Sequence, residues 1–279
     1  MFMAAEPANL SNLQQRVITG ILGGLVFIGA IWFSQWTFGA LFLSLTVLGL
    51  MEFYKLVSFK GFEPNRSFGI LMGSGLFLLV FLIQTGFLEN RYLFLLPPLF
   101  MVSLVAELYR KKAQPFTNIA FTFLGVLYVA GPFSGVILLG FPADATTYSW
   151  HVILGTLLLI WAADTGAYFF GKSFGRHKLF ERISPGKTWE GWVGGTLLCL
   201  GASYVLSLYF TDLDVFHWLG VAVLVSIFGV LGDLVESMLK RSLGVKDSGS
   251  LLPGHGGILD RFDSLIMVVP FIIAFLKIF

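Results

Sequence analysis

Between Leu231 and Asp263 the chain reads LGDLVESMLKRSLGVKDSGSLLPGHGGILDRFD, a run of acids and bases set in otherwise apolar sequence. Asp233, Glu236, Ser237 and Lys240 stand at i, i+3, i+4 and i+7 and share one face of a helix. A carboxylate turned toward hydrocarbon costs several kcal/mol, so this face must look into a bundle interior, a cavity or an ion site. Taken alone, it fits a structural Asp–Lys or Glu–Lys pair near a membrane interface equally well.

More follows downstream. Pro253-Gly254-His255-Gly256-Gly257 cannot continue a regular helix, and its glycines let backbone amides come close to a ligand. Asp260-Arg261-Phe262-Asp263 then places two carboxylates at i and i+3 where the next helix starts, positions that capping alone also explains. Together with Asp233 they form a carboxylate set suited to Mg²⁺, which takes one or two carboxylates plus substrate phosphate. Lys240, Arg241, Lys246 and Arg261 match phosphate charge. His255 is either a hydrogen-bonding loop residue or a group that contacts phosphate or moves a proton.

A second cluster lies at 171–191 and ends in Ser184-Pro185-Gly186-Lys187-Thr188-Trp189-Glu190-Gly191. The Gly-Lys-Thr triplet is not a P-loop: the earlier glycine would fall at Glu181, and no strand is expected before it. Two readings stand, a basic loop holding anionic headgroups and a phosphate-holding loop using Ser184, Lys187 and Thr188. Upstream, Trp161, Asp164 and Tyr168 fall on one helical face, where Asp164 either bonds to a neighbouring helix or helps hold nucleotide or metal.

The elements that position these residues are set by composition. Of 279 residues, 56% are hydrophobic and 12% charged, with a mean hydropathy of +0.84. A soluble domain carries about 25% charged residues, so lipid must solvate this chain, and disorder and collagen-like repeats are excluded. The 30 Phe and 32 Gly suit a membrane bundle. Cys199 is the single cysteine, which excludes an internal disulfide and structural zinc.

Runs long enough to cross the hydrocarbon core lie at 17–34, 37–56, 68–87, 92–108, 117–139, 149–170, 192–210, 216–236 and 263–279. They predict an all-α polytopic bundle of about nine helices, with Pro97-Pro98 kinking the fourth. The first run reads as a retained helix rather than a cleaved signal. With nine crossings, every Lys and Arg except Arg91 and Lys277 falls on one side, which makes that side and the N-terminus cytoplasmic. The outer connections carry Asp144, Asp212 and Asp214. Residues 1–150 read as membrane scaffold and 151–279 as the catalytic region.

The residues from Ser237 through Leu239-Lys240-Arg241, Lys246-Asp247, Gly249, Leu252-Pro253, His255-Gly256-Gly257-Ile258 and Asp260-Arg261-Phe262-Asp263 resemble the C-terminal motif of the bacterial phosphatidate cytidylyltransferases, also called CDP-diacylglycerol synthases. SPGKTWEG at 184–191 is similar to a second motif of that family, often SPKKTWEG, with Gly186 in place of lysine. The resemblance implies transfer of the cytidylyl group of CTP to phosphatidate, with Mg²⁺ required, a monovalent cation such as K⁺ linked to the centre, and a homodimer in the bacterial inner membrane. It also implies that Asp233 and Asp260 serve the metal; Glu236, Asp263 and Ser237 are read from their positions as ligands or orienters beside them. From the residues themselves, a CTP-dependent lipid kinase and an ion-coupled transporter stay open.

Overall fold

In the computed structural model, residues 12–142, 147–249 and 256–279 are described. Asp144, Pro253, Gly254 and His255 lie outside that set, so the loop role expected of His255 has no structural account. Among the described residues, nine helical units occupy the positions anticipated from hydropathy. They are α1 (Asn12–Phe33), α2 (Gln35–Ser58), α3 (Arg66–Gln84), a 3-10 turn (Asn90–Leu95) running into α4 (Leu96–Arg110), α5 (Pro115–Gly125) joined through a π-helical turn (Val126–Ala130) to α6 (Gly131–Leu139), α7 (His151–Phe174), α8 (Trp189–Tyr209), α9 (Val215–Leu243) and α10 (Leu259–Ile278). Among the described residues, seven of these units are long and apolar enough to cross a membrane; α1 and α10 fall outside that group. The chain is a multi-pass helical membrane protein.

The helix boundaries follow from local chemistry. Ser34 separates α1 from α2 by a capping box with Thr37, each residue's side-chain oxygen accepting from the other's backbone N–H at 3.2 Å. Asn65, Thr188 and Asp214 cap α3, α8 and α9. At Asp214 the His217 N–H holds the carboxyl below its ordinary range. Gly244, at φ +76°, ends α9 in the left-handed region. Pro97 and Pro98 occupy the first turn of α4 rather than kinking it, because first-turn N–H groups need no intrahelical partner. The irregularity falls at the α5–α6 junction instead: Pro132 has no N–H to give the carbonyl of Tyr128, and the backbone widens into a π turn there.

The aromatic core centres on α2. Phe38, Phe42, Phe53 and Tyr54 are fully buried, with Phe133 from α6 among their neighbours. The Tyr54 hydroxyl donates to the Thr122 carbonyl at 2.7 Å. In the C-terminal half, α7, α8, α9 and α10 pack side by side, α7 against α8 most extensively. That contact runs through Ala163, Gly166 and Ala167 on one helix and Gly191, Gly194 and Gly195 on the other. A Cβ on Gly195 would lie 2.5 Å from the Ala163 carbonyl oxygen, so only small residues permit this approach.

The connections sort to two ends. Phe141, Pro142, Asp212, Asp214 and Lys277 border one cavity, while Gly61, Arg66, Arg110 and Lys112 border another. Lys60 approaches the end of α9 at Gly244 on the second end. The 171–191 connection is not a plain loop. Strands β1 (Lys178–Phe180) and β2 (Ser184–Thr188) form an antiparallel hairpin, with Lys178 opposite Thr188 and Phe180 opposite Ser184.

Candidate active site

The hairpin delivers Lys187 to the bundle. Thr188 ends β2 and caps α8, its hydroxyl accepting from Gly191 N–H at 3.2 Å. Glu190 accepts from the backbone N–H of Arg176 at 3.1 Å and of His177 at 3.2 Å, and its carboxylate lies 2.6 Å from the His177 ring. Trp189 N–H donates to the His177 carbonyl at 3.0 Å. The Gly-Lys-Thr triplet is therefore strand and helix cap, not a phosphate loop of the P-loop kind. With the hairpin pinned at its base, Lys187 extends to α9, where its ammonium lies 2.6 Å from Asp233 Oδ2 and 3.4 Å from the Val230 carbonyl. Ser237, one turn along, donates its hydroxyl to Asp233 Oδ1 at 3.1 Å.

Around this pair the carboxylates gather. Asp164 on α7 and Asp263 on α10 each interact electrostatically with both Asp233 and Lys187, and with one another. Three carboxyl groups thus face one ammonium. Two of them, Asp164 and Asp233, border a cavity of about 480 Å³ between α7, the hairpin, α8 and α9, lined also by Tyr168, Lys172, Lys187 and Thr188. That volume is within the roughly 300–1,000 Å³ range of small-molecule sites. Asp164, Ala167, Trp192 and Val230 also belong to a narrower, mainly apolar recess running between α7, α8 and α9 toward Ile160 and Val225.

Asp260 belongs to a second group, held by Lys240. The Lys240 ammonium lies 2.6 Å from Asp260 Oδ1 and also contacts Glu236, whose side chain is 1% exposed. Asp260 Oδ2 accepts from Ser248 N–H at 3.1 Å, Ser248 Oγ at 2.9 Å and Gly257 N–H at 3.0 Å. The site residues expected from sequence therefore fall into two sets: Asp164, Asp233, Ser237 and Asp263 around Lys187, and Glu236 and Asp260 around Lys240. Thr188 serves as a cap beside the first set, and Ser184 is half-buried on β2 opposite Phe180. Arg241, Lys246 and Arg261 are exposed, and Arg241 reaches back to the Val245 carbonyl.

Among the described residues no three His, Cys, Asp or Glu side chains form a metal cage by themselves. Magnesium does not require one, since it keeps several waters and takes substrate phosphates alongside one or two carboxylates. Asp233, 39% exposed and bordering the cavity, is a donor of that kind, with Asp164 and Asp263 nearby to share the charge.

Two residues outside the expected set also reach the centre. Tyr128, in the π turn, has an enclosed hydroxyl without a hydrogen-bond partner and interacts electrostatically with Glu236 and Asp263. Glu52 of α2 accepts the Ser248 hydroxyl. Glu52 had a sequence signal: it is an acid within an apolar span, and the argument applied to Asp233 covers it equally. Tyr128 had none, because tyrosine in a membrane helix is ordinary.

The model of the Cytidylyltransferase family matches residues 14–279. The chain is 37% identical over 263 residues to "Phosphatidate cytidylyltransferase" of Staphylococcus haemolyticus (strain JCSC1435), covering 92% of this chain and 96% of that protein. It is 33% identical over 272 residues to the protein of the same name from Bacillus subtilis (strain 168), covering 96% and 99%. A Staphylococcus aureus (strain COL) protein, again so named, is 48% identical over 162 residues, a stretch spanning 57% of this chain and 60% of the relative. With acidic and basic side chains converging at one end of an all-helical membrane bundle, and a family match over nearly its full length, the chain belongs to the cytidylyltransferase family.

Proposed function

We propose that this protein transfers the cytidylyl group of CTP to phosphatidate, giving CDP-diacylglycerol and pyrophosphate. One observation carries the reading beyond family membership: the Lys187–Asp233 pair, with Lys172 and Asp164, borders a cavity of about 480 Å³ at the hairpin end of α7 and α9. A phosphate-bearing ligand matches a cavity of that size with ammonium groups and carboxylates on its wall. Nothing in the geometry favours the kinase or transporter alternatives.

A phosphate monoester has a second pKa of about 6, so near neutral pH its oxygen is already a nucleophile and a strong general base is unnecessary. The obstacle is repulsion between two anionic groups and the charge developing on the leaving pyrophosphate. Lys187 meets phosphate at the cavity, exchanging Asp233 for substrate oxygen, while Arg241 and Lys246, exposed at the end of α9, add positive charge. Lys240, already neutralised by Glu236 and Asp260, acts by holding those carboxylates. Asp233, with Asp164 and Asp263 beside it, is the group that would hold Mg²⁺; Asp260, assigned to the same centre by resemblance, would contribute by exchanging one of its present partners. Magnesium, when bound, neutralises triphosphate charge and stabilises the departing pyrophosphate. Glu236, whose oxygens accept no well-aligned hydrogen bond although one touches Lys240, is the nearest candidate for the monovalent cation. Attack is direct and in line, because no side chain stands out as a covalent nucleophile.

As part of this proposal, the end rich in Lys and Arg faces the cytoplasm, in keeping with the bias of basic residues to that side, and the membrane is the bacterial inner membrane. A homodimer follows from the resemblance and is read by the mass of the detergent-solubilised protein. Purified protein incubated with CTP, phosphatidate and Mg²⁺ is expected to yield CDP-diacylglycerol and pyrophosphate in equal amounts. CDP with a newly phosphorylated lipid would instead identify a kinase.

A further inference from the structure

The half of the chain that reads as scaffold contributes a buried carboxylate to the start of α10. Glu52, on α2, is 3% exposed. Its Oε2 accepts from Ile258 N–H at 2.9 Å and its Oε1 from Leu259 N–H at 3.0 Å. These are the residue preceding α10 and the first residue within it, whose N–H groups have no partner inside the helix. Ile258, at the cap position, has no side chain able to serve them. A charge from another helix therefore does the work of the missing cap, with the favourable sign for a helix N-terminus.

The surrounding loop is shaped to this carboxylate. A Cβ on Gly257 would lie 2.1 Å from Glu52 Oε1, and one on Gly249 would lie 2.7 Å from Oε2. Any other residue at either position would collide with it. Gly257, one of the glycines that the sequence suggests for close approach to a ligand, thus approaches an internal acid, and Gly249 does the same. The Ser248 hydroxyl lies between the Glu52 and Asp260 carboxylates with a single proton to share, and Ser248 N–H adds a second bond to Asp260.

We infer that Glu52 is a positioning residue for the active site proposed above: it fixes the first turn of α10 and, through Ser248, holds Asp260 against Lys240. The inference rests on that reading only for its catalytic consequence; the clamp itself is a property of the folded chain. Removing the carboxylate leaves the Ile258 and Leu259 amides enclosed without a matched acceptor and releases one side of Ser248.

The test is amide hydrogen exchange on the full-length protein in nanodiscs without CTP or added metal, comparing wild type, Glu52→Gln and Glu52→Ala. Glutamine keeps the size and one acceptor, so exchange at Ser248, Ile258 and Leu259 is expected to rise about tenfold in Glu52→Gln and further in Glu52→Ala, as the loss of one or two hydrogen bonds predicts. Amides of α7 and α8 should remain as protected as in wild type. Turnover should fall in the same order. Unchanged exchange at the three amides in both variants would overturn the inference, as would a uniform loss of protection through α7 and α8, which marks a general packing role. Wild-type protein making no CDP-diacylglycerol would overturn the proposed reaction while leaving the exchange comparison intact.

Discussion

Lys187 and Asp233 are 46 residues apart in sequence and meet at 2.6 Å, joining the hairpin before α8 to the inward face of α9. The contact couples the two chemistry-bearing segments that the sequence displays separately, the SPGKTWEG stretch and the acidic face beginning at Asp233. Lys187 is 23% exposed and Asp233 39%, so both remain open to exchange with a ligand.

Lys187→Ala removes the one ammonium that both faces Asp233 and lines the cavity. Turnover is expected to drop about 10²-fold, the magnitude associated with losing a single electrostatic stabiliser of developing charge. Lys187→Arg should recover part of this, because the charge persists while its geometry changes. Steady-state rates for the purified variants decide; near-normal turnover in Lys187→Ala would remove it from the site.

Asp233→Asn and Asp260→Asn should both lose activity yet differ in stability. Asp233 is partly exposed, and its neutralisation leaves Lys187 able to reach solvent, so the unfolding midpoint should barely move. Asp260 is 13% exposed and takes three hydrogen bonds besides the Lys240 ion pair, so its neutralisation should destabilise by about 3 kcal/mol, as for breaking an enclosed pair. Thermal unfolding in one detergent gives the comparison, and equal midpoints would dissolve the distinction between the two carboxylate groups.

Tyr128→Phe deletes an enclosed hydroxyl that no protein group satisfies. The variant should be as stable as wild type or more so by up to about 1 kcal/mol, because a buried polar group without a partner costs free energy. A clear fall in the unfolding midpoint would show that the hydroxyl is engaged.

Lys112 pairs with Glu63 at 3.1 Å on the exposed surface, with both side chains at least 40% accessible. Such pairs contribute roughly 0–1 kcal/mol, so Lys112→Ala should keep both stability and turnover close to wild type. A folded Lys112→Ala protein as inactive as Asp233→Asn would show that the catalytic region extends to the α4–α5 connection.

Much of this was readable in the chain. Hydropathy located all nine helical units, because backbone amides in lipid must be satisfied within the segment. The i, i+3, i+4, i+7 spacing placed Asp233, Glu236, Ser237 and Lys240 together on α9, and the inward orientation of Glu236 and Lys240 followed from the cost of turning charge to lipid. What escaped was long-range pairing. Periodicity describes a face and is silent on which helix lies opposite it, so Lys187 meeting Asp233, Glu52 capping α10 and the division of carboxylates between two lysines emerged only from packing. The hairpin escaped for a different reason: Ser184-Pro185-Gly186 lacks the β-branched alternation that announces strands, and only Lys178–Thr188 and Phe180–Ser184 pairing reveals it. Hydropathy drew 117–139 as one unbroken run, and the effect of Pro132 on the backbone at Tyr128 emerged only from the structure.

The central claim, attack of a lipid phosphate on the α-phosphorus of CTP, is tested most directly by following two labels. Purified protein given phosphatidate, Mg²⁺ and CTP labelled at the α-phosphate should pass that label to the lipid product, whereas CTP labelled at the γ-phosphate should leave its label in pyrophosphate and none in lipid. Label from the γ-phosphate in the lipid fraction would contradict the account.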